Sequence, residues 1–177
     1  MIKMKTLIIH TKDETTDFLK SVYSNITDYT LVTKKHKNEK ELKELISDHD
    51  RVMMLGHGFP SGLYSTPDRE LIIKDEHAQL LKNKDCVFIW CNADKYVEKH
   101  KLKGFYTGMI ISEVAEANYC GVTASQSEVD ESNYLFAETI GRYINNPESM
   151  HQCITSEYNS SSNLVIIYNQ ERIYSNI

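Results

Sequence analysis

A chain of 177 residues with 41% apolar and 25% charged side chains, and only 7 Gly and 3 Pro, is long enough to build one core and too well mixed to be disordered or collagenous. Twenty basic residues against twenty-five acidic ones leave a formal net charge of −5, which gives a nucleic-acid-binding role no electrostatic support. No apolar run approaches the ~20 residues of a membrane-spanning helix, and the start, Met1-Ile2-Lys3-Met4-Lys5-Thr6, leads into a run too short for a signal peptide.

Along the chain, apolar runs of strand length alternate with helical patterns. Residues 5–10 (KTLIIH) read as a strand, 15–25 as an amphipathic helix and 29–33 (YTLVT) as a second strand. A charged helix follows over 38–47, with Leu42, Leu45 and Ile46 on one face, and the Lys/Glu-rich stretch 34–43 is a solvated surface. Residues 52–55 form a third strand that stops at Gly56-His57-Gly58. Residues 59–67 read as loop, with a short hairpin through Leu63-Tyr64 and 71–73, and Asp75 caps a helix over 76–83. The run 85–90 (DCVFIW) has no polar alternation, as in a central strand covered on both faces.

Short helices are expected over 94–100 and 107–118, a fifth strand over 119–124, a long helix over 127–144 and a last helix over 148–155. The chain then closes with a hairpin of 164–168 and 172–174, joined by Asn169-Gln170-Glu171. This alternation predicts one α/β domain over 1–177, a three-layer sandwich around a mostly parallel sheet of about six strands. Ligands and catalysis in such sheets sit at the carboxyl ends of the strands.

Those ends carry His10, Gly56-His57-Gly58, Cys91-Asn92 and Ser125-Gln126. The chain has no GxGxxG, no GxxxxGK[ST] and no GxSxG, so dinucleotide, phosphate-loop and serine-elbow sites lack their motifs. A His-Gly after one apolar strand and a Cys after the next do supply a thiol and an imidazole, the minimum for nucleophilic catalysis. Glycines 56 and 58 permit backbone turns that aim N–H groups at an oxyanion. The bland reading is a packing cysteine and a turn histidine. Cys86, Cys91, Cys120 and Cys153 lack CxxC spacing and read as reduced thiols of a cytoplasmic protein rather than a disulfide framework.

The two blocks VMMLGHG (52–58) and CVFIWC (86–91) resemble the signature of the caspase-like cysteine peptidases, the superfamily of caspases, legumain, gingipains, separase and the bacterial CHAT domains. The stretch 107–140, with Val-Asp-Glu opening a long helix, is similar to the CHAT pattern, so the resemblance covers about residues 1–145 in element order. It implies His57 as general acid/base, Cys91 as nucleophile, and the backbone N–H groups of Gly58 and Cys91 as oxyanion hole. It also implies a specificity pocket from 10–13, 89–92 and 123–126, hence His10, Asp13, Asn92, Ser125 and Gln126 as substrate-binding candidates. Ile89 stands where relatives that cut after Arg or Lys commonly carry an acid, which leaves Asp13 or Asp94 to read a basic side chain; both are equally at home as helix caps.

His10 is open to three readings: pocket residue, hydrogen-bonded edge histidine, or a third zinc ligand beside His57 and Cys91, a weak pattern without a local ligand pair. The leading expectation is a peptidase without metal or cofactor, acting on a protein or peptide substrate, with an activating protein partner in some relatives and neither nucleic acid nor membrane as partner. The alternatives are an idle caspase-like domain that binds a protein, and a flavodoxin- or TIR-like signalling domain with an incidental His and Cys.

Overall fold

The structure, a computed structural model, describes residues 4–34 and 38–177. The reading of residues 1–3 as a non-signal start, and the part of the charged stretch at 35–37, lie outside the described residues.

Six strands build the central sheet: β1 (Thr6–His10), β2 (Tyr29–Val32), β3 (Arg51–Leu55), β7 (Asp85–Ile89), β8 (Phe105–Thr107) and β9 (Ile173–Ser175). Their order is β2-β1-β3-β7-β8-β9, parallel throughout except for β9, which runs antiparallel to β8. Between β3 and β7 the chain folds a separate small antiparallel sheet from β4 (Gly58–Phe59), β5 (Gly62–Ser65) and β6 (Glu70–Leu71).

The inner strands carry no exposed position, because both faces are covered. Leu7, Ile9, Val52, Met54, Phe88 and Trp90 face a core closed by α1 (Glu39–Asp48), α2 (Ala78–Leu81) and α3 (Ala93–His100). Ile8, Met53, Leu55, Val87 and Ile89 face the opposite core, under a 3-10 helix (Glu14–Tyr23), α5 (Gln126–Tyr143) and α6 (Pro147–Glu157). Alternation of side chains across the pleat therefore hides both parities, which is why these runs read as uninterrupted apolar sequence. Phe88 and Trp90 are fully buried, each contributing about 1.5–3 kcal/mol by transfer from water.

Helix starts follow local chemistry. Asn38 caps α1 by accepting from Lys40 N, and Ser125 caps α5 in a reciprocal box with Glu128. At residue 75 the expected cap is displaced by one: Asp75 lies inside a short 3-10 helix, Asp75–His77, preceded by Lys74.

Two expectations fail at the end of the sheet. Residues 119–124 are not a strand; α4 (Val114–Tyr119) ends there and the chain turns through Gly121 at φ +72°. The fifth parallel strand is β8, three residues between Gly104 and Gly108, too short to print a period in the sequence. The terminal hairpin is also absent. Its first arm is a helix, α7 (Leu164–Gln170), because Asn163 Oδ1 accepts from Val165 N and Ile166 N and so nucleates a helical turn in a β-branched run. Only its second arm is extended, as β9 on the edge of β8. Among the described residues no helix is long and apolar enough to cross a membrane.

Candidate active site

Parallel pairing of β3 with β7 matches Leu55 to Ile89, and Gly56 N donates to Ile89 O at 3.0 Å. His57 and Cys91 each lie two residues beyond that matched pair, on neighbouring strands and at the same sheet edge. Gly56 makes the turn at φ +140°, a backbone conformation open mainly to glycine.

The loop after β7 is held on several sides. Trp90 is wholly buried and donates from Nε1 to Phe59 O (3.0 Å), while its own carbonyl accepts from Thr107 Oγ1 (3.0 Å). Gly58 lies flat on the indole: a Cβ there would stand 2.0 Å from Trp90 Cδ1. Asn92 turns left-handed (φ 65°, ψ 30°), its N–H on Gly108 O, and swings the chain directly from Cys91 into α3.

His57 is fixed from one side. Its Nε2 lies 2.8 Å from Thr15 Oγ1, and that hydroxyl donates its proton to Asp13 Oδ1 at 2.7 Å. A hydroxyl has one proton, so Thr15 accepts from His57 Nε2–H and the ring's free lone pair is on Nδ1. Asp13 Oδ2 stands 3.8 Å from the same Nε2. Burial would raise the Asp13 carboxyl, but hydrogen bonds from Thr66 and Thr15 outweigh it and hold it below its ordinary value. Asp13 also caps the 3-10 helix by accepting from Thr15 N. The flat face of His57 stacks on Tyr64 with ring centroids 5.9 Å apart.

Cys91 is half-buried, and its thiol donates elsewhere: Sγ lies 3.6 Å from Ile110 O and 3.8 Å from Glu116 Oε1. Burial, with the Glu116 carboxylate second, pushes this thiol up to about 12. Tyr64 is also raised, first by burial; the charges of Cys91, Glu116 and Asp13 add to that shift, against Arg69, so the phenol lies within electrostatic reach of both halves of the site.

Two backbone donors accompany these side chains. His57 O accepts from Tyr64 N, which makes 57 and 64 the hydrogen-bonded pair of the hairpin and 58 and 63 the open one. The Gly58 N–H thus faces away from β5. The Cys91 N–H has no backbone partner among the described residues.

The remaining candidates disperse. His10 is 4% exposed, with Nδ1 on Tyr23 Oη (3.0 Å) and Nε2 on Thr16 Oγ1 (3.3 Å); burial lowers its pKa, and it lies in the core under the 3-10 helix rather than on the cleft. Asn92 points its amide at Met109 Sδ (3.9 Å). Asp94 sits in the first turn of α3; its Oδ1 is buried without a hydrogen-bond partner among the described residues, and its Oδ2 meets Lys95 Nζ at 3.3 Å. Ser125 serves as a helix cap. Gln126, the first residue of α5, donates to Asp130 and lines a cleft of about 610 Å³ with Thr15, Phe18, Ser112, Asp130 and Tyr134. Among the described residues no group of three or more His, Cys, Asp or Glu side chains is placed to hold a metal ion.

Thr15, Tyr64, Ser112 and Glu116 belong to the site and carry no signal of it in the sequence. Glu116 lay on the polar side of an expected helix, with nothing local to show that it would meet a cysteine of another loop. No protein-family model matches the chain, and no curated protein matches its sequence.

Proposed function

We propose that this chain is a caspase-like thiol hydrolase that cleaves peptide bonds through His57 and Cys91. The observation that carries this reading is the shared edge: adjacent parallel strands, matched at Leu55 and Ile89, each deliver one of the two residues into loops two positions on. The tautomer supports it as well, since Thr15 and Asp13 engage Nε2 and leave Nδ1 as the basic nitrogen.

In this reading the Cys91 sulfur, once deprotonated, attacks the scissile carbonyl carbon and the carbonyl π electrons move onto oxygen. The N–H groups of Gly58 and Cys91 stabilise that oxyanion. His57 Nδ1 takes the thiol proton and hands it to the leaving amine as the C–N bond breaks. Water then attacks the acyl-enzyme, His57 accepts its proton, and the acid leaves with the thiol restored. Cofactor and metal have no step in this sequence. A cytoplasmic setting, which keeps four thiols reduced, goes with it.

One observation favours a second reading, a protein-binding domain with an idle dyad: the thiol proton lies on Ile110 O and Glu116 rather than on His57. Cleavage of a peptide library by the wild type, Cys91→Ala and His57→Ala separates the two. The hydrolase reading expects losses of at least about a thousandfold in both variants, since a nucleophile and its base act as a unit. Activity that survives Cys91→Ala sinks it. Partner capture that both substitutions leave unchanged, without cleavage by the wild type, selects the binding domain.

A further inference from the structure

We infer that Glu116 clamps the Cys91 thiol in its protonated form and so keeps the resting site unreactive. The inference takes its biological meaning from the hydrolase reading above, but its measurement needs only the thiol.

Both acceptors of the Cys91 S–H come from one short piece of chain after β8, residues 109–116. Ile110 contributes its carbonyl and Glu116 its Oε1. The carboxylate is not free to swing away. Its Oε2 accepts from Ser112 N at 2.7 Å and from Ser112 Oγ at 2.9 Å. The piece itself is pinned by the helices packed against it: Asn169 of α7 accepts from Ile111 N at 2.7 Å and donates to Ile111 O at 2.8 Å, and Asn133 of α5 donates to Ser112 O at 2.9 Å. Asn169 is 2% exposed, so this grip lies in the core.

Ionising Cys91 here means placing a second negative charge beside a fixed one in a half-buried site, where water screens poorly. The titratable groups that act on the sulfur are Glu116 on α4 and Cys120 just after it, with Tyr64 on β5 in electrostatic reach and His57 stacked on the Tyr64 ring. Glu116 is anionic, and Cys120 and Tyr64 carry no positive charge. His57 is turned by Nε2 to Thr15. Burial and Glu116 act in one direction on the thiol. A purely local role for Glu116, closing the turn before α4 onto Ser112, would leave Cys91 chemistry unaffected, and this difference is measurable.

The experiment is alkylation of the full chain by iodoacetamide between pH 6 and 11, with the Cys91 peptide quantified by mass spectrometry. In the wild type, Cys91 labelling should still be rising above pH 10. Glu116→Gln keeps the shape and the Ser112 contacts but removes the charge. Its profile should move to lower pH, and its rate at pH 8 should rise about tenfold if the midpoint falls by one on the pH scale. Superimposable profiles, or a wild-type midpoint near the free-thiol value of ~8.5, overturn the clamp. Should Glu116→Gln fail to fold by circular dichroism, Ser112→Ala is read instead, since loosening the carboxylate must move the midpoint the same way by less; an unmoved midpoint overturns the inference. Peptide cleavage is scored separately. A displaced profile without cleavage leaves the clamp standing and the hydrolase reading fallen, and cleavage with an unmoved profile does the reverse.

Discussion

Thr15 Oγ1 stands 2.8 Å from His57 Nε2 and has already given its proton to Asp13, so this one hydroxyl decides which imidazole nitrogen remains basic. A residue in the first turn of a 3-10 helix thereby sets the chemistry of a residue on the loop after β3. The consequence is testable without knowing any substrate. Long-range ¹H–¹⁵N correlation spectra should show His57 as the Nε2–H tautomer in neutral protein. Thr15→Val removes the acceptor and should populate both tautomers, and a wild-type ring protonated on Nδ1 would contradict the arrangement.

Gly58 is a position where space, rather than backbone angle, dictates the residue. An added Cβ would meet Trp90 Cδ1 at 2.0 Å and Gly62 O at 2.8 Å. The indole is anchored through Nε1 to Phe59 O and has no slack to withdraw. Gly58→Ala should therefore cost about 2–3 kcal/mol in urea unfolding, at the upper end for overpacking. A loss under about 0.5 kcal/mol would mean the ring is loosely held.

Arg51 is 2% exposed, and its Nε donates to Asp85 Oδ2 at 2.6 Å while Nη1 donates to Asn145 Oδ1 at 3.1 Å. Asp85→Asn leaves a buried guanidinium without its counter-charge and should destabilise by about 3 kcal/mol. Arg51→Met, which removes the charge and keeps the apolar stem, should cost less. Chemical denaturation of the two variants side by side checks the order, and a more stable Asp85→Asn would refute it.

His77 and His10 predict a pH window. Burial lowers both below the ordinary 6.5, and in His77 this wins over the Glu39 carboxylate, whose Oε1 lies 2.6 Å from Nε2 but out of line for a hydrogen bond. His77 Nδ1 accepts from Lys74 N, which holds the ring neutral. For a histidine lowered on folding, the unfolded chain binds the proton first, so stability is full above pH 6.5 and falls as the pH drops below it, levelling off beneath the folded value. The slope is at most about 1.4 kcal/mol per pH unit for each group. The depressed carboxylates Asp13, Asp75, Glu76 and Glu128 lose their contribution only on further acidification, below their ordinary values of 3.8 to 4.5. Unfolding free energies between pH 8 and 4.5 should slope downward, and His77→Gln should flatten part of that slope. A wild-type profile that is flat across this range contradicts the prediction.

The parallel core was legible because its strands are hidden on both faces: KTLIIH, VMML and DCVFIW need no neighbour to be recognised. The same runs end at His57 and Cys91, so a shared edge is expected if β3 and β7 pair, and in the structure they do. What escaped was decided by single atoms or by distance in the chain. Asn163 Oδ1 turns LVIIY into a helix although its β-branched residues favour a strand. The three residues of β8 become a strand only by lying between β7 and β9. Glu116 and Thr15 touch the thiol and the imidazole through tertiary approach, and neither belongs to a motif.

Asn169 and β9 follow Cys91 by a long stretch of chain, yet Asn169 grips Ile111 and β9 closes the edge of β8 beside the loop of Cys91. A chain emerging from the ribosome exposes β1, β3 and β7 well before α7 exists to dock. During that interval the piece 109–116 lacks the Asn169 grip on Ile111, and the two acceptors of the Cys91 thiol proton are held in place by fewer contacts. Docking of α7, made well after Cys91, thus tightens the piece of chain that holds the thiol.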